Sequence, residues 1–124
     1  MKTATSTFVK TLAPAVALLA GSMAMAGSAP SAADIKAAVS DHTYQGSMAT
    51  AGSGFSEFYA ANGEIRGDGY SGKWRVEDGI MCFQYGADPE SCWGIELQGP
   101  SMVLLKEGQV DGNGMLIPGN ENGY

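Results

Sequence analysis

The stretch that decides the fold is "GKWRVEDGIMCFQYGADPESCWGIEL", residues 72–97. Short alternating runs are separated here by turns, and Asp78-Gly79 is a strong signal for a tight hairpin. If Cys82 lies opposite Cys92 in a second hairpin, one face of that hairpin becomes markedly apolar. The apolar set is Met81, Phe83, Tyr85, Trp93, Ile95 and Leu97. The alternation therefore predicts a hairpin whose apolar face is the core side and whose cysteines lie on the more polar face.

Similar glycine-punctuated strands extend from this hairpin in both directions, which is typical of antiparallel β structure. Their predicted bounds are 42–48, 55–60, 64–70, 73–77, 80–85, 92–97 and 101–106, with a short last strand near 115–117. Strands linked in sequence order favour a meander that curls on itself. We predict a mainly β fold, an antiparallel meander of about seven to eight short strands forming an open barrel or sandwich.

One short helix is predicted ahead of the strands, in "SAADIKAAVSD", residues 31–41. Ser31 is a suitable N-cap and Asp34 lies near the positive end of the helix dipole. Ile35 and Val39 are four residues apart, so they share one helix face and are expected to pack against the sheet.

The N-terminal segment has the parts of a secretory signal peptide. Lys2 and Lys10 supply a basic start, an apolar run follows, and an Ala-Met-Ala sequence ends at Ala26. We predict cleavage between Ala26 and Gly27, with a cut after Ala33 as the less favoured alternative. A membrane anchor is disfavoured because the apolar run is shorter than the ~20 residues that span a bilayer.

This assignment divides the chain into a signal peptide, residues 1–26, and a single secreted β domain, residues 27–124. The predicted location is periplasmic or secreted. The chain has 7 basic residues, 13 acidic residues and one histidine, a net charge of −6, and two of the bases lie in the predicted signal peptide. Such an acidic domain disfavours nucleic acid as a partner, and we expect no membrane insertion after signal removal.

Cys82 and Cys92 are the two cysteines of the chain. Export to an oxidising compartment favours a disulfide between them. Their spacing is not that of a C-x-x-C redox motif, and zinc would need more ligands than one histidine supplies. We predict a Cys82–Cys92 disulfide and neither a metal nor a cofactor.

Several short motifs together resemble a known group of proteins. They are Thr-Tyr-Gln-Gly at 43–46, Phe-Tyr-Ala-Ala-Asn-Gly at 58–63, Gly-Lys-Trp-Arg-Val at 72–76, Cys-Phe at 82–83 and Cys-Trp at 92–93. With the signal peptide and short helix, this order resembles small secreted alphaproteobacterial β-domain proteins classed as a domain of unknown function. The resemblance implies a small periplasmic β domain and supplies no catalytic residues.

Candidate catalytic groups are few. His42 follows Asp41 and could serve in a nucleophilic relay, but a lone histidine beside an acid is more often a surface residue. Glu57, Glu64 and Asp68 could form a carboxylate pair, although a solvated strand face explains them more simply. We therefore predict that the protein is not an enzyme.

Three other motifs are weak. "DGNG" at 111–114 resembles the start of a calcium loop, but Met115 stands where an oxygen ligand belongs. Arg66-Gly67-Asp68 spells an adhesion tripeptide by chance. "GDGYSGK" at 67–73 lacks the spacing of a phosphate-binding loop.

The aromatic residues outnumber what one face of a small core needs. They are Phe55, Phe58, Tyr59, Tyr70, Trp74, Phe83, Tyr85 and Trp93. Either they fill the core, or some of them mark a concave surface for a ligand or partner.

Three functional hypotheses follow. The first is a non-catalytic periplasmic module that binds a protein, an envelope component or a small ligand. The second is an inhibitor or stress-related protein that docks on secreted enzymes through the loop "GADPES", residues 86–91. The third is a small hydrolase that uses His42 or a carboxylate pair.

Overall fold

The computed structural model describes residues 29–124, which form one helix and eight strands. The helix is α1 (Ala32–Val39). The strands are β1 (His42–Met48), β2 (Gly54–Tyr59), β3 (Glu64–Gly67), β4 (Tyr70–Glu77), β5 (Ile80–Tyr85), β6 (Ser91–Gln98), β7 (Ser101–Lys106) and β8 (Gln109–Pro118). The predicted signal peptide and its cleavage site at Ala26-Gly27 lie outside the described residues. No helix within residues 29–124 has the length and apolar character needed to cross a membrane.

All neighbouring strands pair antiparallel in sequence order, and β8 returns to pair with β1, so the sheet is a closed barrel. The predicted mainly β meander with one short N-terminal helix is confirmed. The barrel is closed because the last strand is ten residues long and follows β1 from His42↔Pro118 to Met48↔Gly112. We call this pairing of β1 and β8 the seam. Glycines permit it, because a Cβ at residue 114 would overlap the backbone of Gly46 on β1.

The hairpin of β5 and β6 has the predicted register. Cys82 lies opposite Cys92, and Met81 lies opposite Trp93. The two cysteines form the predicted disulfide, with Cα atoms 4.0 Å apart. Met81 belongs to the barrel core, whereas the disulfide lies on the outer face, beside Arg75 of β4.

One predicted turn is wrong. The sequence placed the third strand at 64–70 with a turn at Ser71-Gly72, but the turn lies at Asp68-Gly69, where Gly69 has φ of 77°. Tyr70 therefore opens β4 and shares a face with Trp74, two alternations further along. The shift matters for the site because it directs Tyr70 into the barrel.

The helix covers one end of the barrel. Its start is tied to the β4–β5 turn, since Asp78 accepts from the Ala32 N–H at 2.8 Å. The segment that follows the helix is tied to the β2–β3 turn, since the Asp41 carboxylate accepts from the Ala61 N–H at 3.0 Å. Ser31 caps the helix as predicted, and Ile35 and Val39 on its inner face are fully buried.

We call this the closed end, and it contains α1 with the β2–β3, β4–β5 and β6–β7 turns. The opposite end, which we call the open end, carries the β1–β2, β3–β4, β5–β6 and β7–β8 turns, because successive strands alternate in direction. Below the helix the barrel is filled by a continuous set of buried side chains. These include Ile65, Trp74, Met81, Ile95, Met102 and Leu116.

Candidate binding cavity

A cavity of about 590 Å³ occupies the open half of the barrel. Its lining is dominated by aromatic and apolar side chains and contains two carboxylates. The lining residues are Met48, Phe55, Glu57, Tyr59, Tyr70, Phe83, Tyr85, Asp88, Trp93 and Leu104. Eight-stranded barrels are just wide enough to be filled by side chains or to hold one small ligand. This barrel does the first at its closed end and leaves space for the second at its open end.

Glu57 is the polar centre of the cavity and is only 6% exposed. Three phenols donate to its carboxylate. Tyr70 donates to Oε1 at 2.9 Å, Tyr59 donates to Oε2 at 3.0 Å, and the Tyr85 hydroxyl lies 2.9 and 3.0 Å from the two oxygens. The carboxylate is thereby held in one position among aromatic rings, as buried polar groups require.

Strand alternation brings these four groups together. Glu57 and Tyr59 are two residues apart on β2, so both side chains point into the barrel. Tyr70 begins β4 and Tyr85 ends β5, and their ring centroids lie 6.0 Å apart in an edge-to-face contact. Gly67 on β3 completes the arrangement, because a Cβ at that position would overlap the Tyr70 ring. The site therefore depends on side chains from three strands and on one absent side chain.

The phenols of this cluster hold their protons strongly. Burial, followed by the neighbouring Glu57 carboxylate, raises the pKa of Tyr59, Tyr70 and Tyr85 well above the ordinary value of 10.0. Each hydroxyl therefore remains a donor through the neutral and mildly alkaline range. The carboxylate of Glu57 is the common acceptor.

Tyr59 joins the cavity to the core below it. Its ring centroid lies 6.4 Å from that of Trp74 at the closed end and 5.9 Å from that of Phe83 in the cavity wall. Trp74 is itself anchored, since its Nε1 donates to the Ala60 carbonyl at 2.9 Å. The floor of the cavity is therefore a set of edge-to-face and tilted rings, in which the Tyr59 hydroxyl and the Trp74 indole N–H each make a hydrogen bond.

Trp93 and its neighbours form part of the cavity rim. Its Nε1 donates to Asp111 Oδ2 at 2.8 Å, which ties β6 to β8. Lys106 Nζ lies 4.8 Å from the centroid of the Trp93 ring and 3.2 Å from the Cys92 carbonyl oxygen. Lys106 is exposed and does not line the cavity. An indole that already attracts one cation thus stands at the entrance.

The candidate carboxylate pair does not form. Glu57 was expected on a solvated strand face, and this was wrong because its face of β2 is the inside of the barrel. Glu64 is exposed and pairs with Arg66 at 3.0 Å on the outer surface. Asp68 is exposed in the β3–β4 turn. Glu57 thus has three phenols, rather than a second carboxylate, around it.

His42 lies at the closed end, at the start of β1, and does not line the cavity. Its Nδ1 is 2.8 Å from the Ser40 carbonyl oxygen, and the carboxylate of neighbouring Asp41 accepts from Ala61 instead. The two residues therefore serve the junction between α1 and β1. The structure does not bring His42 to the carboxylate at the centre of the cavity.

The calcium-like motif is not a loop. Residues 111–114 lie within β8, in extended conformation. Asp111 accepts from Trp93, as described above, and Met115 is 47% exposed on the outer face. Arg66-Gly67-Asp68 ends β3 and enters its turn, and its glycine makes room for Tyr70.

The loop between β5 and β6, residues 86–90, stands at the open end and is exposed. Its base is held by the disulfide and by Arg75, whose Nε and Nη2 donate to the two oxygens of Glu90 at 2.8 and 2.6 Å. The hydrogen bond from Arg75 holds the pKa of Glu90 below its usual range. Asp88 in this loop lines the cavity, so the loop is part of the entrance.

Cys82, Glu90 and Cys92 lie close enough together to suggest a metal site, and among residues 29–124 they are the only such group of three. The two sulfurs are bonded to each other, however, and a disulfide offers no thiolate ligand.

Comparisons of the chain with family models, with curated proteins and with solved structures give no match. The resemblance to small secreted alphaproteobacterial proteins therefore stays a prediction, and the interpretation of the cavity rests on its geometry.

Proposed function

We propose that the protein is a non-catalytic binding module that holds one small, mostly apolar ligand in the open half of its barrel. The observation that carries this proposal is the cavity of about 590 Å³, lined by aromatic and apolar side chains around one fixed carboxylate. Cavities of roughly 300–1,000 Å³ with apolar walls and a few convergent polar groups are typical of small-molecule sites.

The hydrogen bonding of the cavity wall supports a preformed binding site rather than a defect in packing. Within residues 29–124, every buried side-chain nitrogen and oxygen has a hydrogen-bond partner. The polar groups of the wall are therefore fixed before any ligand arrives, which reduces the entropy lost on binding. The predicted export would place this module in the periplasm or outside the cell.

The β5–β6 loop supports a second candidate, docking on a secreted protein. The disulfide and the Arg75–Glu90 pair fix its base, and a pre-ordered loop loses little entropy on docking. Because Asp88 of the same loop lines the cavity, the ligand-binding function explains the loop with fewer assumptions.

The test uses N-phenyl-1-naphthylamine, an uncharged dye whose fluorescence rises in apolar surroundings. Met48 lines the cavity, whereas Met115 is exposed on the outer face of β8. Met48→Trp should fill the entrance and abolish dye binding, and Met115→Trp, the same exchange outside the barrel, should leave it unchanged. Equal binding by the two variants, or none by the unaltered protein, contradicts the proposal.

A further inference from the structure

The charge of the cavity is unbalanced. Two acidic residues, Glu57 and Asp88, contribute to its lining, and no lysine, arginine or histidine does. The three ion pairs among residues 29–124 involve Arg66 and Arg75, and all lie on the outer surface with side chains at least 36% exposed. The protein therefore places a carboxylate that is 6% exposed in an apolar cavity without a basic partner.

A buried carboxylate is stabilised by hydrogen bonds or by an opposite charge. Glu57 has the hydrogen bonds, from three phenols, but these supply no positive charge. A cation that entered the cavity would supply it and would be surrounded by aromatic rings, which attract cations through their π faces. The aromatic lining residues are Phe55, Tyr59, Tyr70, Phe83, Tyr85 and Trp93.

Resting on the function proposed above, we infer that the ligand is a small organic cation with an apolar body, and that its charged group is a methylated ammonium. An ionised carboxylate has about four lone-pair sites. Tyr59, Tyr70 and Tyr85 direct three hydroxyl hydrogens to the Glu57 oxygens at 2.9 to 3.0 Å, with the Tyr85 hydroxyl within reach of both oxygens, and so leave at most one lone-pair site open. The three N–H donors of a primary ammonium would therefore find too few free acceptor sites on Glu57, whereas a fully methylated ammonium needs no acceptor and interacts through charge and ring faces.

The same phenols favour a cation in a second way. Their hydroxyl hydrogens are directed to Glu57, so Tyr59, Tyr70 and Tyr85 have no O–H group left to donate to a ligand. What they still offer to a ligand is the lone pairs of their oxygens. A carboxylate ligand would meet Glu57 and Asp88 as like charges. An anion is therefore disfavoured by charge, and a neutral apolar molecule gains only from burial.

The experiment compares octyltrimethylammonium, octylammonium, 1-octanol and octanoate, which share one hydrocarbon chain, by calorimetric titration of the mature protein at neutral pH. Octyltrimethylammonium should bind most tightly, by roughly tenfold over 1-octanol, and octanoate most weakly. This series needs no variant, so it does not depend on the folding of a mutant. Octanoate or 1-octanol binding as tightly as octyltrimethylammonium overturns the inference.

Octylammonium tests the methylated group. Tighter binding of octylammonium than of octyltrimethylammonium would support a cation but overturn the assignment of a methylated ammonium. Weaker binding, with the hydrocarbon chain unchanged, supports the view that the phenols leave too few lone pairs of Glu57 for the N–H donors of a primary ammonium.

Glu57→Gln keeps the size of the side chain and removes its charge. It should lower the preference for octyltrimethylammonium over 1-octanol roughly tenfold while 1-octanol still binds. Glu96→Gln is the matched control, since Glu96 is exposed on β6 and changes the net charge equally. An unchanged preference in Glu57→Gln overturns the inference. Failure of all four compounds to bind the unaltered protein contradicts the proposed function itself, which separates the two.

Discussion

The two ends of the barrel use the same strands and the same kinds of residue for different purposes. At the closed end, a helix covers the opening and Trp74 is 7% exposed within the core. At the open end, Trp93 is half-buried at the rim of a cavity, and Tyr70 is 42% exposed. At the closed end the aromatic rings pack against apolar side chains, whereas at the open end they surround the Glu57 carboxylate and the cavity. Strand alternation alone therefore does not make a core, because a covering element is also needed.

The two tryptophans test this contrast most strongly. Trp74→Ala should lower the free energy of unfolding by about 3–5 kcal/mol, because a large buried ring leaves a cavity. Trp93→Ala should cost about 1–2 kcal/mol, since its ring is only partly buried. Urea unfolding followed by circular dichroism measures both. Equal costs would mean that the open end is as well packed as the closed end.

The disulfide tests how much a covalent link on the outer face contributes to stability beside the apolar core. Cys82→Ser combined with Cys92→Ser should lower stability by about 2–4 kcal/mol, because a loop closed over a separation of 10 residues is released. The β signature should persist, since Met81 and its neighbours in the core are untouched. Thiol titration of the native protein should find no reactive thiol, and two thiols would contradict the bond.

The alkaline limit of stability tests the phenol cluster. Because folding raises the pKa of Tyr44, Tyr59, Tyr70 and Tyr85, the unfolded chain ionises first as the pH passes the ordinary value of 10.0. The stabilisation is complete below that pH and is lost as the pH rises through the folded pKa values. Unfolding midpoints should fall above about pH 10. Native tyrosines that ionise together with those of the urea-unfolded chain would refute this.

The smallest effect is expected at His42. It contacts the Ser40 carbonyl at the closed end and is remote from the cavity lining. His42→Ala should leave dye binding unchanged. A variant that keeps its stability but loses an assayable activity would restore the hydrolase hypothesis, whereas loss of dye binding alone would mean that His42 contributes to the cavity.

The sequence predicts the β5–β6 hairpin down to its residue pairs because one face is apolar and two cysteines fix the register. It predicts the helix equally well, from Ser31 and the spacing of Ile35 and Val39. These elements are determined by neighbours in sequence. That is why local patterns suffice to find them.

Other features depend on distant residues and were missed or shortened. β8 was expected to be three residues long because its glycines weaken a strand signal, yet those glycines permit the close approach to β1 that makes it a strand. Residues 67–72 contain two turn signals, Asp68-Gly69 and Ser71-Gly72. The chain turns at Asp68-Gly69, which directs the Tyr70 side chain into the barrel. Glu57 was placed outside because neither face of β2 is uniformly apolar. The signal available was that Glu57 lies between Phe55 and Tyr59 on the same face of β2.

The seam between β1 and β8 also determines when the fold can be completed. The other seven pairings join strands that are adjacent in sequence, whereas the seam joins His42 to Pro118. Contacts between residues so far apart form late, because closing a long loop costs entropy before the contact is made. Hairpins can thus form as the chain emerges, but the barrel cannot close until β8 is present. A chain truncated before β8 would expose the edges of β1 and β7 and so be prone to aggregate.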